Sequence, residues 1–195
     1  MFFELEKDDR YPDVWYSDDD AFDPFIGIKC PKFPGHQRGE RDINVNLWID
    51  IKKPKMGDFV ATVFSDWLIT DRVATIFKEH KLTGYELHPV KICNIKLGFN
   101  LWELVVTGNA GRAHPDSGIY VKEHCEYCGS TVYSPIKKGV GIIVDETRWD
   151  GSDFFTIDEY WKYVLVTEKV KKIIEENNLE GVRMVLPSEL GRDEL

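Results

Sequence analysis

Residues 70–90 recur, without a gap, as residues 167–187, 97 positions further along the chain. Both copies open on threonine, an acid, a base and valine (Thr70, Asp71, Arg72, Val73 and Thr167, Glu168, Lys169, Val170), and both close on a Leu-x-Gly triplet ending at Gly84 and Gly181. Self-similarity of this length means that one supersecondary unit is used twice, which constrains architecture more tightly than function. Each copy reads as a helix. The threonine is an N-cap whose oxygen accepts from the first turn, the acid suits the positive end of the helix dipole, and the glycine supplies a left-handed residue past the C-terminus. Val73, Ile76 and Phe77 share one face in the first copy, as Val170, Ile173 and Ile174 do in the second, so both helices carry a core stripe. Apolar runs at 67–69 and 163–166 precede the helices, and runs at 85–90 and 182–186 follow them. Their β-branched and aromatic content suits strands. The unit is strand, helix, strand, and whether its two strands are neighbours stays open.

The expected fold class is therefore α+β: mixed sheets with two pseudo-repeated strand-helix-strand units and a cysteine-knuckle hairpin between them. At 195 residues with 43% hydrophobic side chains, the chain can form a single compact domain with two pseudo-equivalent lobes. The repeat units span about 58–97 and 153–190, and residues 1–25 form an acidic N-terminal arm. No apolar run is long enough to span a bilayer and the first residues lack the pattern of a secretory signal, so a cytoplasmic location and no membrane partner are expected. Residues 192–195 look like a lumenal retrieval tail, which without an entry signal is read as a chance match.

The formal charge is −9, and residues 1–25 hold nine acids against two bases. Such a segment repels phosphate, which disfavours nucleic acid as a partner, and it steers basic proteins toward itself. A solvated arm and a partner-binding arm carry equal weight, with Asp18, Asp19, Asp20 and Trp15 as the candidate contacts. Tyr11, Trp15, Tyr16, Phe22 and Phe25 are interleaved with the acids, so part of the arm is expected to pack on the body.

Between these landmarks, residues 44–51 alternate as a half-buried strand, 52–57 read as a turn, and 101–106 as a further strand. Cys125 and Cys128, followed by Gly129, form the tip of a hairpin in a spacing that lets two thiolates grip one Zn²⁺. A structural zinc takes four ligands. Cys30 is the third candidate and His36 the fourth, with Cys93 and His124 as rivals. Structural zinc and metal-free buried cysteines weigh equally on this pattern, and a redox role is disfavoured because the pair does not open a helix. The His-x-Glu at His124 overlaps the cysteine pair and cannot serve a zinc deaminase, and no nucleophile elbow, Walker loop or His-Glu-x-x-His is present. The segment 149–155 mixes Trp149, Asp150 and Asp153 with glycine, serine and two phenylalanines. It serves either as a binding loop or as a turn with aromatic plugs, the turn being favoured. Arg38, in the segment 34–41, is a candidate partner for Asp150 and Asp153.

The segments PGHQRGER, LWELVVTG, CEYCG and WDGSDFF, together with the two helix units, resemble bacterial double-CXXCG-motif immunity proteins of polymorphic-toxin systems. The resemblance covers most of the chain after residue 25. It departs from the pattern at the first motif, where Cys30 is followed by Pro31, Lys32 and Phe33 instead of a second cysteine. What it implies is a cytoplasmic, non-enzymatic protein that binds and occludes a cognate toxin, a basic one to suit the exposed acids. The alternatives are an enzyme built around Cys125, Cys128, His36 and the 149–155 loop, or a zinc-stapled binding scaffold.

Overall fold

The computed structural model describes residues 1–53 and 55–191; the tail motif at 192–195 lies outside the described residues. In chain order the first strands are β1 (Phe2–Lys7), β2 (Trp15–Tyr16), β3 (Phe25–Lys29), β4 (Gln37–Arg41), β5 (Trp48–Asp50), β6 (Phe59–Ala61) and β7 (Trp67–Thr70). Helix α1 (Asp71–Glu79) leads to β8 (Tyr85–Pro89), β9 (Lys91–Ile92), β10 (Leu101–Val106), β11 (Gly108–Asn109), β12 (Val121–His124) and β13 (Thr131–Tyr133). The chain continues with β14 (Phe154–Thr156), β15 (Leu165–Thr167), α2 (Glu168–Glu176) and β16 (Val182–Val185). The class is α+β, with short strands in mixed sheets and, among the described residues, two α-helices.

The flanking strands of each unit are not neighbours. One sheet has the order β6-β7-β10-β8 and another β11-β14-β15-β1-β16, so a single antiparallel strand separates the two strands of each unit. In the first lobe that strand is β10, which follows its helix; in the second it is β1, from the start of the chain. The two lobes are thus related by a circular permutation, and the expected arm begins instead as an interior strand of a sheet, between β15 and β16. The register follows the same equivalence: Glu103 faces Leu68 and His88, while Glu4 faces Leu165 and Val185, partners again 97 residues apart. FFEL in β1 and LWEL in β10 are the same element.

Both helices pack into one core, where Val73, Phe77, Val170 and Ile174 meet Phe59 and Phe154. The threonines are N-caps by backbone conformation, but their side chains do not cap. Thr70 donates its hydroxyl to Asp58 Oδ1 (3.4 Å) and Thr167 to Asp153 Oδ1 (3.1 Å). Helix ends also differ from expectation, because the left-handed residue that stops each helix is Lys81 or Asn178, both at φ 50°. The amide of Leu82 donates to Phe77 O and that of Leu179 to Ile174 O, both at 3.0 Å, closing Schellman turns with the apolar contact such turns favour. Gly84 and Gly181 instead permit a close approach. A Cβ there would lie 2.0 Å from Phe154 O and Phe59 O respectively, so each glycine lets one lobe touch the other.

Candidate metal centre and binding surface

Two hairpins meet at their tips. Cys30 follows β3 and His36 precedes β4, and Cys125 and Cys128 sit in the turn between β12 and β13. The first turn closes through Cys30 N–H to His36 O (3.2 Å), and the Phe33 amide donates to Cys30 Sγ (3.3 Å). The second closes through the Gly129 amide to Cys125 O (2.8 Å), with Gly129 left-handed at φ 69°. In the first turn the amide at the Cys30 thiol favours its thiolate, whereas at Cys128 in the second turn the Ser130 amide is outweighed by burial and the neighbouring thiols, which raise that thiol above its ordinary range. The four potential ligand atoms of Cys30, His36, Cys125 and Cys128 lie within 4.8 Å of one another, close enough to hold a metal ion. Cys30 Sγ and Cys125 Sγ are 3.8 Å apart. That is the edge of a tetrahedron with Zn–S bonds of about 2.3 Å, and far too long for a disulfide of about 2.05 Å. The donor set therefore fits zinc. Burial opposes a Cys30 thiolate, yet the amides of Lys32 and Phe33 and the neighbouring thiols outweigh it and bring Cys30 below its ordinary range.

Arg38 does not reach the aspartates of 149–155. It donates to Glu40 (3.0 Å) and, from the other end of the guanidinium, to Cys128 O (3.2 Å), so its positive charge lies beside the thiol cluster. Lys32 donates to Tyr127 Oη (2.5 Å) and also ties the two tips together. The rivals stay outside: Cys93 is an exposed free thiol, and His124 pairs with Thr131 Oγ1 (2.8 Å).

Of the other predicted contacts, Asp18, Asp19, Asp20 and Trp15 are exposed. Trp149 instead packs edge-on against Phe2 with ring centroids 5.1 Å apart, and its Nε1 donates to Ser152 O (3.1 Å). Asp150 is exposed but spends its oxygens on the amides of Ser152 and Asn109, both at 2.9 Å. Asp153 is buried and accepts from Thr83, Thr167 and Lys169. The 149–155 segment is thus a turn that joins the lobes, with Asp153 buried and Trp149 half-buried against Phe2.

No model of a known protein family matches the chain, and no curated protein matches it.

The chain also has a cleft that its motifs do not announce. A cavity of about 820 Å³ is lined by Tyr16, Phe25, Phe64 and Trp161, with Arg41 and Glu103 among its polar walls. Tyr16 stacks near Phe64 (4.5 Å) and Phe25 (5.8 Å), yet Phe64 remains 47% exposed and Trp161 63%. Tyr16 donates to Asp66 Oδ2 (2.6 Å), and burial, with that bond, pushes its hydroxyl far above its usual range. Arg41 ends the PGHQRGER segment and Glu103 lies within LWELVVTG. The repeated Glu-Leu of β1 and β10 marks Glu103 as the counterpart of Glu4, while nothing in the sequence marks Arg41 as its partner.

Proposed function

We propose that the chain is a non-catalytic immunity protein that binds a basic cognate toxin in the cytoplasm and occludes it, with zinc held by Cys30, His36, Cys125 and Cys128 as a structural staple. The observation that carries the reading is the surface at residues 15–25 and 64. There the exposed acids Asp18, Asp19 and Asp20 share a segment with Phe25, which together with Phe64 is partly open to solvent over the buried ring of Tyr16. Aromatic anchors beside a field of one sign suit protein recognition, the charge setting association rate and the rings residence time.

The metal ligand set supports the non-catalytic half of the proposal. Three thiols and one imidazole complete a tetrahedral zinc, leaving no position for a reacting water, and when bound the ion supplies cross-links between two hairpin tips that are otherwise joined by Arg38 and Lys32. No helix among the described residues is long and apolar enough to cross a membrane.

Co-expression with the product of the adjacent gene tests the reading. The chain should rescue growth and form a complex, and Asp18, Asp19 and Asp20 changed together to Asn should slow association about tenfold at low salt while leaving dissociation nearly unchanged. Absence of both rescue and complex would sink it.

A further inference from the structure

The permuted pairing that equates β1 with β10 also equates two buried glutamates, Glu4 (7% exposed) and Glu103 (4%). Both stand on an interior strand of a sheet, on the face opposite Phe3, Leu5 and Leu104 of the shared core. Their surroundings differ most in what meets the carboxylate. At Glu103 a guanidinium arrives: Arg41 Nη2 donates to Oε2 at 2.9 Å, and the Arg41 side chain is itself 9% exposed. Its amino groups are also fastened to the carbonyls of Asp42 and Val45. Among the described residues no guanidinium takes that place at Glu4. Glu4 Oε2 is buried without a hydrogen-bond partner among the described residues, and a cavity of about 430 Å³ opens beside it, with Trp67 and Tyr163 in its wall. Burial above all, and then Glu6, raise the Glu4 carboxyl to about 7, while Arg183 draws it down. A buried carboxylate with an unpartnered oxygen and a neighbouring cavity is an arrangement completed by a donor from outside.

We infer that the cavity beside Glu4 binds a guanidinium group, the head of an arginine side chain presented by a partner protein, which donates to Glu4 as Arg41 donates to Glu103. A guanidinium fits better than an ammonium because its planar donors match a carboxylate and its face stacks on aromatic walls. The other charges facing the cavity are largely engaged. Lys7 is held by Asp13 at 2.9 Å and Glu6 by Arg183 at 2.9 Å, which leaves Lys162 on the rim as a like charge opposing the ligand. That the arginine belongs to a toxin rests on the proposed function; the site itself does not.

The test uses the intact chain and N-acetyl-arginine amide as probe, followed through the Glu4 carboxyl carbon by NMR. Titration should move that resonance saturably and lower the Glu4 pKa by about one unit, a tenfold preference for the charged form. N-acetyl-lysine amide should bind several-fold more weakly, and Lys162→Ala should tighten the arginine probe about twofold to fivefold. A Glu4 resonance that moves no more than those of exposed carboxylates, or an unchanged response of other signals in Glu4→Gln, would overturn the inference. Failure here with toxin neutralisation intact removes this site alone. Failure of neutralisation with the titration intact removes the toxin reading alone.

Discussion

Asp58 and Asp153 each hold the start of their own helix and the end of the other. Asp58 Oδ2 accepts from the amide of Glu180 (3.1 Å), and Asp153 Oδ2 accepts from that of Thr83 (3.0 Å), positions equivalent in the two repeats. The backbone follows the same exchange, since Phe59 N–H donates to Glu180 O (2.9 Å) and Phe154 N–H to Thr83 O (3.0 Å). Arg72 and Lys169, also equivalent, pair with these aspartates at 2.9 and 3.1 Å. The two lobes therefore clasp reciprocally about a pseudo-twofold axis.

Removing one carboxylate takes the acceptor from an amide of the other unit and from the hydroxyl of its own N-cap threonine. Asp153→Ala should cost about 2–4 kcal/mol in urea unfolding. Asp58→Ala should fall in the same range, because the clasp is symmetric. A loss below about 1 kcal/mol for both would show that the lobes hold together without it.

The glycines of the clasp have no room for a side chain. Gly84→Ala and Gly181→Ala must displace a carbonyl 2.0 Å from the new Cβ at φ of 85° and 96°, and should lower stability by about 3 kcal/mol or more. Gly129, at φ 69° but with nothing within 4 Å, sets the comparison. There alanine should cost only the left-handed penalty of about 1–2 kcal/mol, read by the same unfolding curves.

Metal analysis of the purified chain should find about one zinc, lost in Cys30→Ser and Cys125→Ser and retained in Cys93→Ser. Chelation should lower the melting temperature and speed amide exchange in β3, β4, β12 and β13, while the core around Phe77 and Phe154 keeps its protection. Full zinc content in Cys30→Ser would exclude the four-residue site.

Glu4 and Glu103 are both raised to about 7 from an ordinary 4.5, chiefly by burial, with Glu6 adding to it at Glu4 and Arg41 opposing it at Glu103. A carboxyl with a raised folded-state pKa binds its proton more tightly in the folded protein. Its contribution to stability is complete below about pH 4.5 and is lost as pH rises through about 7. Glu4→Gln, which keeps the uncharged shape, should remove its part of that decline and gain about 1–3 kcal/mol at pH 8 over the parent, with little difference at pH 4.5. Glu103→Gln should do the opposite at pH 8, because it strands the buried Arg41 guanidinium and costs about 3 kcal/mol or more. Unfolding measured across pH 4.5–8 separates the two, and identical responses would contradict the difference in their surroundings.

Local chemistry was legible in the chain itself. The 97-residue offset located both helices with their core stripes, and CxxCG with Cys30 and His36 named the four side chains that the structure brings together, because turn geometry and helical periodicity act over a few residues. The duplication is larger than that offset shows. Asp58-Phe59 and Asp153-Phe154 repeat at an offset of 95, and Glu4 and Glu103 at 99, since the loop between the first two strands of the second unit is longer and β1 comes from the opposite end of the chain. What fills a gap between two parallel strands is decided by which apolar strand fits it, not by sequence order. That choice buried Phe3 and Leu5, turned Trp149 and Asp153 inward to join the lobes, and brought Arg41 to Glu103 while leaving Glu4 beside an open cavity. The sequence alone determined the units and offered the four candidate metal-binding side chains; long-range packing brought those four together and decided how the units interlock.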